Sequence, residues 1–188
     1  MWQEHLDQAI EGRGKSLIQL RRHLHSHPEI SGQEFQTTSY LSDLLREIGC
    51  DCRVPTAKSG IVAQIGDAQV PRIALRADLD ALQIQDVKDV AYRSRNDGVM
   101  HACGHDAHCA ILVGALQGLQ RLSQAGELPW PISVCGIFQP AEETATGAKE
   151  MVHFGALNGP QHLMGQPLRV ASLHDHRHLV NALEFHRN

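Results

Sequence analysis

The feature that most limits what this chain can fold into is a change of period. Up to residue 49 the apolar residues recur at helical spacing. Beyond it, three short segments (60–65, 72–77 and 132–138) are apolar or β-branched and bounded by Gly or Pro. Such runs read as strands. The helical part divides in two. Leu17, Leu20 and Leu24 share a face opposite Arg21 and Arg22, and Pro28 stops the run. A second helix is expected from Ser31 and Glu34, at capping-box spacing, through Tyr40, Leu41, Leu44, Leu45 and Ile48 to Gly49. Between the last two strands, 108–123 is apolar on a broad face and rich in Gly and Ala, which predicts a buried helix. A further helix is expected over 144–154, after Pro140. Helices before, between and after short apolar strands predict an α/β fold layered helix–sheet–helix.

Composition excludes several classes. The 188 residues suit one ordinary domain, and 42% hydrophobic with 20% charged residues is a globular balance. A net charge of -4 with no Lys/Arg cluster argues against nucleic acid as a partner. The longest apolar run, 109–116, is too short to span a bilayer, so no membrane partner is expected. The N-terminus has no apolar export segment, which predicts a cytoplasmic location. Five cysteines, an odd number, argue against a disulfide framework; beside 13 histidines they raise the expectation of a metal site. After residue 159 the character shifts. The stretch 160–188 holds five histidines with neither an amphipathic period nor a strand signal, and a loosely packed tail is expected there.

Three clusters fall where an α/β domain places its site, just past the carboxyl ends of strands. Asp78 and Asp80 follow the second strand; two apart in extended chain, both carboxylates face one side. Taken alone they are equally what a solvated strand end would carry. The second cluster is MHACGHDAH, residues 100–108. Cys103 and His105 alternate around Gly104, so a thiolate and an imidazole can converge on one zinc-like cation. Asp106 and His108 stand ready as further ligands or as partners that fix an imidazole tautomer, and His101 is a further candidate. The third is FQPAEETATGA. At an irregular turn after Pro140, one of Glu142 and Glu143 can ligate a metal while the other faces a bound water. The competing account is negative charge in the first turn of the next helix. Cys50, Cys52, Cys109 and Cys135 read as ordinary buried thiols. His23, His25 and His27 fall on different faces of the helix before Pro28, with a structural or substrate-edge role.

Four stretches, RRHLHSHPEISGQEFQTT, IALRADLDAL, MHACGHDAH and FQPAEETATGA, in this order and spacing resemble the metal-dependent M20 peptidase/amidohydrolase family. The nearest branch holds hippurate hydrolases, N-acyl-L-amino acid amidohydrolases and auxin-conjugate hydrolases. The resemblance covers roughly residues 10–157. It implies a zinc-peptidase type catalytic domain with two divalent ions (zinc, manganese, cobalt or nickel) and a small N-acyl amino acid as substrate. A smaller domain would mediate a homodimer. By motif position Cys103, His105 and Glu143 match metal ligands and Glu142 matches the general base. Asp80 joins Glu142 among the catalytic positions, while Asp78, Asp106 and His108 support the site.

The chain departs from that pattern in two ways. A further ligand His is expected some two dozen residues after the paired glutamates; His162 comes too early, and His174, in ASLHDH, lies several residues too late but has the better context. Family chains are also about twice as long. Residues 1–159 are thus expected to be the N-terminal part of a catalytic domain incomplete at its C-terminus. The dimerisation domain would be absent and the chain alone impaired. A non-catalytic metal-binding fragment, or a domain completed by a second chain, are the alternatives.

Overall fold

The change of period is where the sheet begins. In a computed structural model, which describes residues 2–165 and 169–172, three helices lead: α1 (Trp2–Glu11), α2 (Gly14–Ser26) and α3 (Phe35–Glu47). Strands β1 (Asp51–Arg53), β2 (Ile61–Gly66) and β3 (Arg72–Asp78) follow. Then come the long helix α4 (His105–Ala125), β4 (Ser133–Gln139), the short helix α5 (Gly147–His153), β5 (Pro160–Gly165) and β6 (Arg169–Ser172). The described strands form one sheet in the order β1-β2-β4-β3-β5-β6. Its centre is parallel: β3 pairs with β4 on one side and β5 on the other. The β1–β2, β2–β4 and β5–β6 pairs are antiparallel.

Strand alternation sorts the core into two layers. From β4, Val134 and Phe138 pack with Leu20, Leu24, Leu41, Leu45, Val113 and Leu116, so α2, α3 and α4 cover one face. Cys135 and Ile137 point the other way, onto Ala148 and Met151 of α5 with Val62, Ala74 and Leu163. This is the helix–sheet–helix layering expected. Close approach of α4 is possible because β4 carries Gly136, where a Cβ would sit 2.7 Å from Leu116 Cδ1. None of the described helices is long and apolar enough to cross a membrane.

Three local expectations need correcting. The stretch past 159 was expected to hold no strand, yet 160–165 pairs with β3 and buries Leu163; 169–172 pairs in turn with 160–165. The signal is weak because PQHLMG has no β-branched residue, and its strand form is set by the partner. Ser31 and Glu34 do not form a capping box: α3 starts without a side-chain cap, and both side chains bond elsewhere. The last predicted helix is shorter than 144–154, because 141–146 is an irregular turn with positive φ at Ala141 (48°) and Ala145 (56°).

Candidate metal centre

The parallel strands β3 and β4 end side by side, with Asp78 registered against Gln139. Three loops meet beyond those ends. The chain leaving β3 carries Asp80. The chain entering α4 carries Cys103, then Gly104 at φ 85°, then His105 as the first helical residue. The left-handed Gly104 turns the backbone sharply between the two donors, a geometry that favours glycine. The chain leaving β4 breaks at Pro140 and turns through Ala141, Glu142 and Glu143.

Ligand atoms of Cys103, His105 and Glu143 all lie within 4.8 Å of one another. A thiol, an imidazole and a carboxylate from two separate loops thus share one small space. His105 Nδ1 donates to the Asp80 carbonyl at 2.9 Å and lies 3.4 Å from Asp80 Oδ1. That fixes the ring and leaves Nε2 as the coordinating nitrogen. Glu142 does not join the three. Its Oε2 is 3.8 Å from His105 Nε2, with the side chain 12% exposed, so it borders the space beside the imidazole.

Asp80 organises the cluster. Its Oδ2 accepts from the Ser31 hydroxyl at 2.7 Å and from the Glu143 amide at 2.9 Å. Burial acts to raise its pKa, but the bonds from His105, Ser31 and the Glu143 amide prevail and hold the carboxyl below its usual range. Burial raises Asp78 to about 6, partly offset by Arg76, whose Nη2 lies 2.6 Å from its Oδ1. For His105 burial acts to lower the pKa, yet the Asp80 hydrogen bond and the Asp78 charge push it up to about 9. The exposed Cys103 thiol is pushed up to about 12, chiefly by Glu143, with desolvation and the Glu142 and Asp80 charges adding to it. Without a cation the Cys103 thiol and the His105 imidazole therefore keep their protons at neutral pH. A divalent ion would displace them, as metal ligands require.

The donor set suits a cation. Soft sulfur, imidazole nitrogen and carboxylate oxygen are the ligands zinc and its neighbours take, and Glu143 Oε1 is buried without a hydrogen-bond partner.

Other expected site residues fall differently. Asp106 turns away from the cluster: its Oδ2 accepts from His25 Nδ1 at 2.7 Å and forms an ion pair with Arg21, whose Nε is also 2.7 Å away. It therefore fixes a histidine of α2 and stands apart from the metal-ligating set. The His108 ring lies 5.9 Å from that of His105. His101 is buried, both ring nitrogens lack a hydrogen-bond partner, and burial lowers its pKa to about 4. The His23 and His27 rings lie 4.5 Å apart between centres and tilted by 30°, while His25 is buried. His174 lies outside the described residues.

Sequence reasoning missed the residues that hold the loops. Ser31 and Glu34 were visible only as a helix cap, and Asp86, 3.4 Å from His25 Nε2, carried no signal. The only cue was their polarity beside apolar runs.

Known proteins resemble this chain in sequence and fold. A probable hydrolase of Synechocystis is 42% identical over 151 residues, 79% of this chain but 37% of its own length. The N-acetyl-L-cysteine deacetylase of Bacillus subtilis is 43% identical over 152 residues, 80% of this chain and 36% of that one. The YXEP protein of Bacillus subtilis, described as a dinuclear metal binding peptidase from the M20 family, superposes with a TM-score of 0.76 at 41% identity. It covers 82% of this chain and 43% of its own. Human carnosine dipeptidase 1 superposes with a TM-score of 0.63 at 15% identity, over 87% of this chain and 40% of its own, and shows the fold alone. The chain thus spans well under half the length of these relatives. A family model matches residues 74–180, from β3 through both ligand loops and more than half of the chain, which belongs to peptidase family M20/M25/M40.

Proposed function

We propose that this chain carries the ligand-bearing part of a metal-dependent amidohydrolase that cleaves the amide of N-acyl amino acids. The observation that carries the reading is the meeting of Cys103, His105 and Glu143 with Glu142 beside them. The likeness to an N-acetyl-L-cysteine deacetylase and to a dinuclear metal binding peptidase supports the substrate class and a pair of divalent ions.

Cys103, His105 and Glu143 would hold a divalent cation, which would supply an acidified water and a Lewis acid for the scissile carbonyl. Glu142, beside the His105 imidazole, would take the proton of the attacking water and deliver it to the leaving amine. Asp80 aims His105 through its carbonyl and Glu143 through its backbone amide. His174 is a further candidate ligand.

The three converging donors among the described residues are fewer than two ions need, because affinity follows ligand count and fixed geometry. The chain by itself is accordingly proposed to bind metal with low turnover, and full activity to require ligands beyond these three. The test is hydrolysis of N-acetyl amino acids and hippurate by the purified chain with zinc, manganese, cobalt or nickel. Slow, metal-dependent turnover abolished by Glu142→Gln is expected. Turnover that Glu142→Gln leaves unchanged would overturn the assignment of the base, and fast turnover would overturn the claim of impairment.

A further inference from the structure

Glu34 is a carboxylate with no exposed surface, at the start of α3 and outside the cluster described above. Both of its oxygens are engaged. Oε2 accepts from the Ser59 hydroxyl at 2.7 Å, and Oε1 accepts from the Ala141 amide, also at 2.7 Å, across 107 residues of sequence. Ser59 is itself fixed where the chain enters β2, since the next amide, Gly60, donates to Thr38 Oγ1 of α3 at 3.1 Å. The carboxylate is therefore held by one element and reaches into another.

What it reaches is the turn that delivers the glutamate pair. Ala141 has φ 48°, a region L side chains disfavour and one that persists only where surrounding bonds impose it. Its carbonyl accepts the amides of Thr146 and Gly147, each at 3.2 Å. Gly147 packs so tightly on this turn that a Cβ there would fall 1.6 Å from the Pro140 carbonyl oxygen. On the amide side, Glu34 pins residue 141 and Asp80 pins residue 143. Glu142 lies between two backbone amides, each clamped by a buried carboxylate from a different segment.

Building on the metal-centre reading, we propose that Glu34 is a positioning residue: through the Ala141 amide it sets the turn that aims Glu142 and Glu143 at the cation. It touches none of the three ligating side chains, so its effect passes entirely through the turn. Groups that orient ligands typically change metal affinity by about 10–100-fold when removed.

The test is a cobalt(II) titration of the full 188-residue chain, followed by absorption. Glu34→Met, similar in length but without acceptors, is expected to weaken cobalt binding about tenfold or more. Glu34→Gln is expected to stay close to wild type, because its carbonyl oxygen accepts the Ala141 amide and its NH2 donates to the Ser59 hydroxyl. In a Glu143→Gln background, Glu34→Met should cost nothing further. Such non-additivity separates action through Glu143 from a general loss of stability. If circular dichroism shows that Glu34→Met does not fold, Ser59→Ala takes its place in the same cycle with Glu143→Gln, since it removes one of the two bonds aiming the carboxylate. Losses that simply add, or a Glu34→Met chain that binds cobalt as wild type does, overturn the proposal alone. A wild-type chain that binds no cobalt overturns the metal-centre reading, and this proposal with it.

Discussion

Asp106 sits one residue past His105, and its Oδ2 accepts from His25 Nδ1 and is ion-paired with Arg21 Nε, each at 2.7 Å. That oxygen ties α2 to the first turn of α4, which presents the His105 imidazole. His25→Leu keeps the volume apolar and leaves Asp106 with Arg21 alone. An under-satisfied buried acceptor costs about 1–3 kcal/mol. Urea unfolding is expected to show a lower midpoint of that order with an unchanged slope, and an unchanged midpoint would show that the contact contributes nothing. At this scale the donors themselves were readable: Cys103, His105 and Glu143 carry chemistry that packing alone rarely demands, in motifs of recognisable spacing. Their supports were not. Glu34 meets Ala141 107 residues away, a pairing that local spacing cannot express.

The segment 83–99, between β3 and α4, has no helix or strand, yet it is stitched to the end of α2. The Arg95 amide donates to the Ser26 carbonyl and the Asn96 side chain to the Pro28 carbonyl. Asp86 is its hub, accepting from the amides of Lys88 and Ser94 and pairing with the Lys88 ammonium at 3.1 Å, with His25 facing it from α2. Burial works to raise its pKa, but the two amides and Lys88 overcome it and hold the carboxyl well below the usual range. The folded form then takes up this proton less readily than the unfolded chain. Its contribution is complete above the unfolded value of about 4 and is lost as pH falls further. Asp86→Asn should therefore be less stable than wild type at neutral pH, and the gap should close as pH drops below about 4. A gap that stays constant with pH would contradict this. Among the regular elements, β2, β3 and β4 were legible because each carries a short apolar or β-branched run bounded by Gly or Pro. The strand at 160–165 was not: PQHLMG acquires its form from pairing with β3.

At the scale of the whole molecule, the fold brings three loops to the carboxyl ends of two parallel strands, and the chain spans 37% and 36% of the two relatives named above. The layered class followed from the alternation of periods, and four ordered motifs pointed to the family. How the loops are clamped became visible only in three dimensions. The central claim is that sulfur, imidazole and carboxylate from separate loops bind one cation. X-ray absorption at the zinc edge of the zinc-loaded chain tests it most directly. The expected result is one sulfur at about 2.3 Å beside nitrogen or oxygen at about 2.0–2.2 Å, with the sulfur shell lost in Cys103→Ser. A zinc environment of nitrogen and oxygen alone in the wild-type chain, or a sulfur shell that survives Cys103→Ser, would contradict the claim.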